Sequence, residues 1–292
     1  MTTSAEGPPR DVHASGAKPR PEGADRECGR KAGTQARRVS KRYEEAAASS
    51  APSGGSAAAK PQAWGDNTPT LHAPERLQAA FDRERRDARR RKAADAREAH
   101  THTIAMFGRL AELQRQTIID ERIDVACTRG CSYCCHLRVE VRPHDAFVLA
   151  AHVRTRFDAE RRVRVIARIE ANLARIAPLS PEEHVRAGIP CALLEDGACS
   201  AYDARPATCR KYYSISVDVC RHAFDAPSEP LIGDIENENV RLAGNAVALG
   251  HAQGLEDAGY DCALYELHFA LHRALTDPRC ERRYRRGKRA FV

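Results

Sequence analysis

The sequence lacks any long apolar segment. No run of about eighteen apolar residues occurs in the 292-residue chain, and the N-terminus has no apolar core of the kind found in secretory signal peptides. Glu6 and Asp11 interrupt the basic N-terminal residues, which argues against an organellar transit peptide. We therefore expect a soluble, cytoplasmic protein without a membrane partner, in a compartment where thiols stay reduced.

Large apolar residues are scarce in the first quarter of the chain. Residues 1–73 consist mainly of Ala, Ser, Gly, Pro, Arg and Lys, and Trp64 stands isolated among them. Such a composition cannot bury enough apolar surface to offset the entropy lost on ordering, so we expect this segment to be disordered. Residues 74–275 are predicted to form one domain, which is long enough for a hydrophobic core.

Motifs for nucleotide or nucleic-acid recognition are also absent. The sequence has no glycine-rich phosphate loop, and no acid–base pair is evident beside its cysteines. Most of the net charge of +7 comes from residues 279–292, which hold six arginines and one lysine against a single glutamate. This pattern predicts a flexible basic C-terminal tail over residues 276–292, capable of weak contact with polyanions.

Helical periodicity dominates the remaining sequence. Pro74 is suited to a first helical turn, and the stretch from Glu75 to about Arg97 favours a helix with few apolar residues, which we expect to project into solvent. Ser180-Pro181-Glu182-Glu183 has the pattern of a capping box, and Asp196-Gly197 is typical of a hairpin turn. The predicted fold is mainly α, with one or two short hairpins near the cysteines.

Eight cysteines stand in two blocks in the middle of the chain. They are Cys127, Cys131, Cys134, Cys135, Cys191, Cys199, Cys209 and Cys220. Thiols this close in sequence are joined as disulfides or held by zinc or iron, and a reducing compartment favours metal. The cofactor is expected to be zinc, iron or a [4Fe–4S] cluster. Neighbouring side chains diverge, so we expect either Cys134 or Cys135 to bind beside the second block.

The two blocks resemble a known family. Cys127–Cys135, the run from Pro190-Cys191 to Cys199, and Arg205-Pro206-Ala-Thr-Cys209-Arg210 are similar to the YkgJ-like cysteine cluster family, the CxxCxxCC group of zinc- or iron-chelating domains. The similarity covers residues 120–220. It departs from the family name in having three residues, not two, between Cys127 and Cys131. The resemblance implies metal binding through the eight cysteines, whereas it implies no particular reaction.

Other interpretations of the function remain open. Some relatives resemble flagellin lysine methylases, which keeps open a methyltransferase, or a metal- or cluster-dependent oxidoreductase. The spacing from Cys127 to Cys134 also fits the loop of radical S-adenosylmethionine enzymes, although too few strands follow it to form their barrel. A third possibility is a zinc-stabilised interaction protein with a basic tail. The sequence does not decide whether the protein is an enzyme.

Several other residues have a weaker claim to the site. His136 is a spare candidate ligand. His268 and His272, four residues apart on one helix face, have a spacing that can bind metal, but without a third ligand they are expected to be packing or surface residues. Arg205 and Arg210 flank Cys209 and are expected to form structural salt bridges. Cys28, Cys262 and Cys280 are not expected to bind metal.

Overall fold

The computed structural model describes residues 74–90 and 96–292. Its ten helices are α1 (Pro74–Arg90), α2 (Ala96–Asp120), α3 (Pro143–Arg156), α4 (Ala159–Ile176), α5 (Pro181–Arg186), α6 (Ala207–Lys211), α7 (Val217–Asp225), α8 (Glu238–Asp257), α9 (Leu267–Thr276) and α10 (Cys280–Arg285). The mainly helical fold is thus confirmed. The disorder predicted for residues 1–73, like Cys28 and Trp64, lies outside the described residues.

Two small antiparallel sheets accompany the helices. Strand β2 (Leu194–Glu195) pairs with β3 (Ala198–Cys199). Asp196 and Gly197 between them have φ values of 49° and 74°, as the predicted Asp-Gly turn requires. Strand β1 (Glu140–Val141) pairs with β4 (Tyr265–Glu266), a long-range partner that local patterns do not reveal.

The main core lies where α3, α4, α9 and α10 meet. Helix α9 packs on α3 and α4, and its members Ala270 and Leu271 are almost completely buried. Ser180 and Glu183 form the predicted capping box, which starts α5. Cys191 and Cys199 pack against the same core, so it carries part of the cysteine region directly.

Helix α1 does not project into solvent as its composition suggests. It lies along α8, because Gly250 and Gly254 leave room for its backbone. A Cβ atom on Gly250 would lie 2.9 Å from Cα of Phe81, and one on Gly254 would lie 2.7 Å from Cβ of Ala88. A glycine–x3–glycine spacing on α8, rather than large apolar side chains, thus permits close helix contact.

The C-terminal residues fold back onto the domain. Cys280, Tyr284 and Phe291 are at most 3% exposed and belong to the main core. Arg283 donates to both Asp277 and the carbonyl O of Ala290. The structure therefore differs from the predicted flexible tail, because the apolar residues among the arginines anchor this segment.

Candidate metal centre

The eight cysteines come from short elements joined by loops. Cys127 and Cys131 lie in the loop after α2, and Cys134 and Cys135 lie in a single 3₁₀ turn, Tyr133–His136. Cys191 follows α5, whereas Cys199, Cys209 and Cys220 lie on β3, α6 and α7. A backbone hydrogen bond joins the two blocks: the N–H of Cys191 donates to the carbonyl O of Cys135 at 2.8 Å.

Ser214 lies between Cys127 and Cys220. Its backbone N–H donates to Sγ of Cys127 at 3.1 Å, and its hydroxyl O accepts from Sγ of Cys220 at 3.0 Å. Ser214 is only 2% exposed. Its carbonyl O also accepts from the N–H of Ala126 at 2.9 Å. A single residue therefore brings one cysteine of each block to the same place.

Helix α6, which carries Cys209, is fixed at its start. The buried carboxylate of Asp145 accepts from the N–H of Ala207 at 3.2 Å. The hydroxyl of Thr208 donates to the carbonyl O of Glu140 at 2.7 Å. These bonds tie α6 to β1 and the start of α3, so the position of Cys209 depends on the main core.

The two arginines beside Cys209 bind backbone carbonyls rather than carboxylates. Arg210 donates to the carbonyl O of Arg205 at 2.7 Å and also to that of Asp203. The Arg205 guanidinium stacks 3.6 Å from the ring centre of Tyr202. This pair therefore does not form the expected salt bridges. The positive charge of Arg205 instead lies near the thiols and favours the thiolate forms of Cys134, Cys199 and Cys209.

The surrounding protein raises, rather than lowers, the pKa of several of these thiols. Burial raises the pKa of Cys191 and that of Cys209 to about 12. A hydrogen bond with Cys135, and then burial, raise the pKa of Cys134 far above its ordinary value. Burial also raises the pKa of Cys127 and Cys220, although their bonds to Ser214 oppose the shift. A bound cation would supply the charge that these thiols need to ionise.

The eight donor atoms are all thiol sulfurs, a type of ligand that suits a thiophilic metal. None of the ten cysteines in the described part of the chain is joined in a disulfide. Partly buried sulfurs beside a guanidinium and an N–H donor are common surroundings of zinc– and iron–thiolate centres. In the arrangement of residues 74–90 and 96–292, no three His, Cys, Asp or Glu side chains are already placed to hold one ion.

An open cavity of about 420 Å³ lies against this region. Cys134 and Cys220 line it, together with the aromatic rings of Tyr133, His136 and Phe224. The His136 ring lies 4.8 Å from that of Phe224, and Nδ1 of His136 lies 3.1 Å from the carbonyl O of Ser132. The carbonyl can only accept, so Nδ1 carries the proton and Nε2 is the basic nitrogen.

A larger cavity, of about 600 Å³, lies elsewhere. His100, His144, His251 and Tyr284 are among its lining residues, and none of the eight cysteines is. Burial, and then Arg142, lower the pKa of His144 to about 3, so its imidazole is neutral. This cavity is therefore separate from the cysteine region.

Sequence reasoning missed three residues around the cysteines. Ser214 lies between Cys209 and Cys220 without a motif of its own, and Asn172 lies within the apolar pattern of α4. His268 was expected to be a packing or surface residue, yet its ring accepts from the backbone N–H of Ala192, beside Cys191. Only the four-residue spacing of His268 and His272 singled out one of them beforehand.

Comparison with known proteins agrees with the cysteine pattern. Residues 126–225 match the family model CxxCxxCC, described as "Putative zinc- or iron-chelating domain". No curated protein and no solved structure matches the chain. Separately, none of the described helices has the length and apolar character needed to cross a bilayer. The matched segment contains all eight cysteines, and residues 126–225 thus form a domain of the CxxCxxCC family of cysteine-cluster proteins.

Proposed function

We propose that the protein chelates zinc or iron through its eight clustered cysteines, within a reducing cytoplasm. The observation that carries this proposal is that residues 126–225, which match the family model, hold all eight cysteines as free thiols, on α6, α7, β3, the 3₁₀ turn and the loops between them. Soft thiolates select such metals. Because the elements concerned are short, metal binding would contribute directly to their folding.

The eight sulfurs are proposed to form two groups. Ser214 contacts Cys127 and Cys220, and Cys131 lies in the same loop as Cys127, so we assign these three cysteines to the outer group. Burial, and after it both Cys134 and Cys131, raise the pKa of Cys127 and Cys220, so Cys134 lies between the two groups. The inner group is Cys134, Cys191, Cys199 and Cys209. In that group Cys199 raises the pKa of Cys191 and Cys209, and Cys134 that of Cys199 and Cys209. Cys135 would complete the outer group.

Metal analysis of the full chain, purified without oxygen, tests this function. We expect either zinc in a colourless protein, or iron with an absorption band at about 400 nm that is bleached when the protein is reduced. Addition of zinc to the metal-free protein at pH 7 should release protons, because the thiols must ionise. Protein that takes up neither metal while its thiols remain reduced would contradict the proposal.

A second candidate function is a metal-dependent enzyme, which the cavity beside Cys134 and Cys220 favours. A catalytic site keeps a coordination position open, whereas a structural site is closed by protein ligands. The basic Nε2 of His136 could receive a proton from a molecule bound there. Neither the substrate nor the reaction follows from these groups.

Cobalt-loaded protein distinguishes the two functions. Exogenous thiocyanate should shift the visible cobalt bands if a coordination position is open to the cavity, and Phe224→Ala should alter the affinity for thiocyanate. Unchanged bands at saturating thiocyanate would exclude the enzyme and leave a closed, structural centre.

A further inference from the structure

A buried hydrogen-bonded network lies beside Cys191. Asn172 on α4 and His268 on α9 are 7% and 5% exposed. Nδ2 of Asn172 donates to the carbonyl O of Pro190 at 2.7 Å and lies 3.0 Å from Nε2 of His268. The backbone N–H of Ala192 donates to the same Nε2 at 3.2 Å.

The hydrogen bonds of the imidazole fix its tautomer. Nδ1 of His268 lies 2.7 Å from Oε1 of Glu266, a carboxylate oxygen that can only accept. Nδ1 therefore carries the proton, and the lone pair of Nε2 receives both the Asn172 amide and the Ala192 N–H. The other oxygen of Glu266 accepts from the N–H of Phe269 at 2.9 Å.

These bonds act on both peptide groups that flank Cys191. The carbonyl O of Pro190 is held by Asn172, and the N–H of Ala192 is held by His268. The N–H of Cys191 itself donates to Cys135, in the first block. With the backbone fixed on either side, the direction of the Cα–Cβ bond of Cys191 is also fixed.

Packing alone does not account for this network. Polar side chains buried at a core position contribute no more stability than well-packed apolar residues of similar volume, and they often contribute less. What they add is direction: two side chains, from α4 and α9, fix one short segment, and Glu266 of β4 orients the second of them. Groups that orient a ligand in this way commonly affect metal affinity about 10- to 100-fold.

We propose that His268 is a positioning residue of the metal centre, which together with Asn172 holds Pro190–Ala192 so that Cys191 directs its sulfur to the metal. This role rests on the proposed function. Glu266 sets the tautomer of the ring and thus acts one step further away.

The test measures zinc release from the full-length protein to a chromophoric chelator. His268→Gln should release zinc at least about tenfold faster than wild type, and Asn172→Ala should change the rate in the same direction. The matched control is His272→Gln, one turn further along α9. The His272 ring lies 3.2 Å from the carboxylate of the exposed Glu170, away from the Cys191 segment, so this control should stay within about twofold of wild type.

A second readout separates positioning from stability. The sulfur-to-cobalt charge-transfer band of the cobalt-loaded protein should change in His268→Gln and not in His272→Gln. If His268→Gln is folded by circular dichroism but keeps the wild-type release rate and band, the positioning role is overturned while the proposed function stands. If His268→Gln does not fold, the same outcome for Asn172→Ala overturns it. A wild-type protein that takes up no metal overturns both.

Discussion

The backbone N–H of Ser214 donates a hydrogen bond to Sγ of Cys127, at 3.1 Å. Ser214 lies within the second cysteine block, between Cys209 and Cys220, and its hydroxyl also contacts Cys220. An N–H donor stabilises a thiolate, and a hydroxyl can rotate from acceptor to donor when the thiol ionises. The residue can therefore serve the metal-free and the metal-bound forms alike.

Ser214→Ala should weaken zinc binding about tenfold while leaving the fold intact. The substitution removes the hydroxyl that contacts Cys220, along with its two bonds to the backbone of Ser216, and preserves the backbone N–H that bonds to Cys127. Competition with a chelator measures the affinity. Ser200→Ala is the matched control, since Oγ of Ser200 is buried without a hydrogen-bond partner among the described residues. Equal affinities of the two variants would refute a role for the Ser214 hydroxyl.

Cys131→Ser and Cys209→Ser should each lower the metal content and the soluble yield, because each removes a proposed ligand from one group. Cys280→Ser should keep full metal content. Since Cys280 is completely buried, its replacement should nevertheless lower the melting temperature by a few degrees, at a cost of about 1 kcal/mol. Elemental analysis and thermal unfolding check these outcomes, and metal loss in Cys280→Ser would contradict the assignment.

Gly254→Ala should detach α1 from α8 and destabilise the protein by about 2 kcal/mol or more. The new methyl group would meet the backbone at Arg85 and lie 2.7 Å from Cβ of Ala88. Gly108→Ala, in the exposed face of α2, is the control. It has no neighbour within 4 Å of the added atom, so it should stabilise the protein by about 0.5–1 kcal/mol. Urea unfolding measures both, and equal effects would exclude the close helix contact.

The His144→Phe variant should lose less stability than the wild type as the pH falls. The pKa of His144 is about 3 in the folded state and about 6.5 in the unfolded chain. The unfolded state therefore binds an extra proton as pH falls from about 6.5 to 3, which removes stability. Losing the imidazole should change the slope of the free energy of unfolding against pH by up to about 1.4 kcal/mol per pH unit.

The neighbouring Asp145 has the opposite effect on the pH dependence. Burial raises its pKa to about 6, so the folded state binds the extra proton between about pH 4 and 6 and gains stability as pH falls. In His144→Phe this gain is no longer offset. Urea unfolding from pH 7 to 4 tests the difference, and parallel curves for wild type and variant would contradict it.

Local signals predicted much of the fold and fewer of its contacts. Helix spacing, the capping box at Ser180 and the Asp196-Gly197 turn are properties of adjacent residues, and each was confirmed. The α1–α8 contact depends on two glycines whose partner is far away in sequence. Likewise, Phe291 is drawn into the core although basic residues surround it, because tertiary burial overrides local charge.

The candidate site was predictable only as a set of sulfur donors. The cysteine spacing identified the family, as residues 126–225 confirm, and the assignment of all eight as ligands stays a prediction. Their supporting groups could not be foreseen. The contacts of Asn172 and His268 with the Cys191 segment arise from three-dimensional packing of α4 and α9, which leaves no short-range pattern.

The hydrogen bond from Cys191 to Cys135 joins two segments that are separated by two long helices, α3 and α4. A metal shared between these segments would act as a removable cross-link that closes a long loop. Closing such a loop reduces the entropy of the unfolded chain, much as a disulfide does. Metal supply would then govern the protein's lifetime in the cell, because the metal-free chain would unfold more often and be degraded sooner.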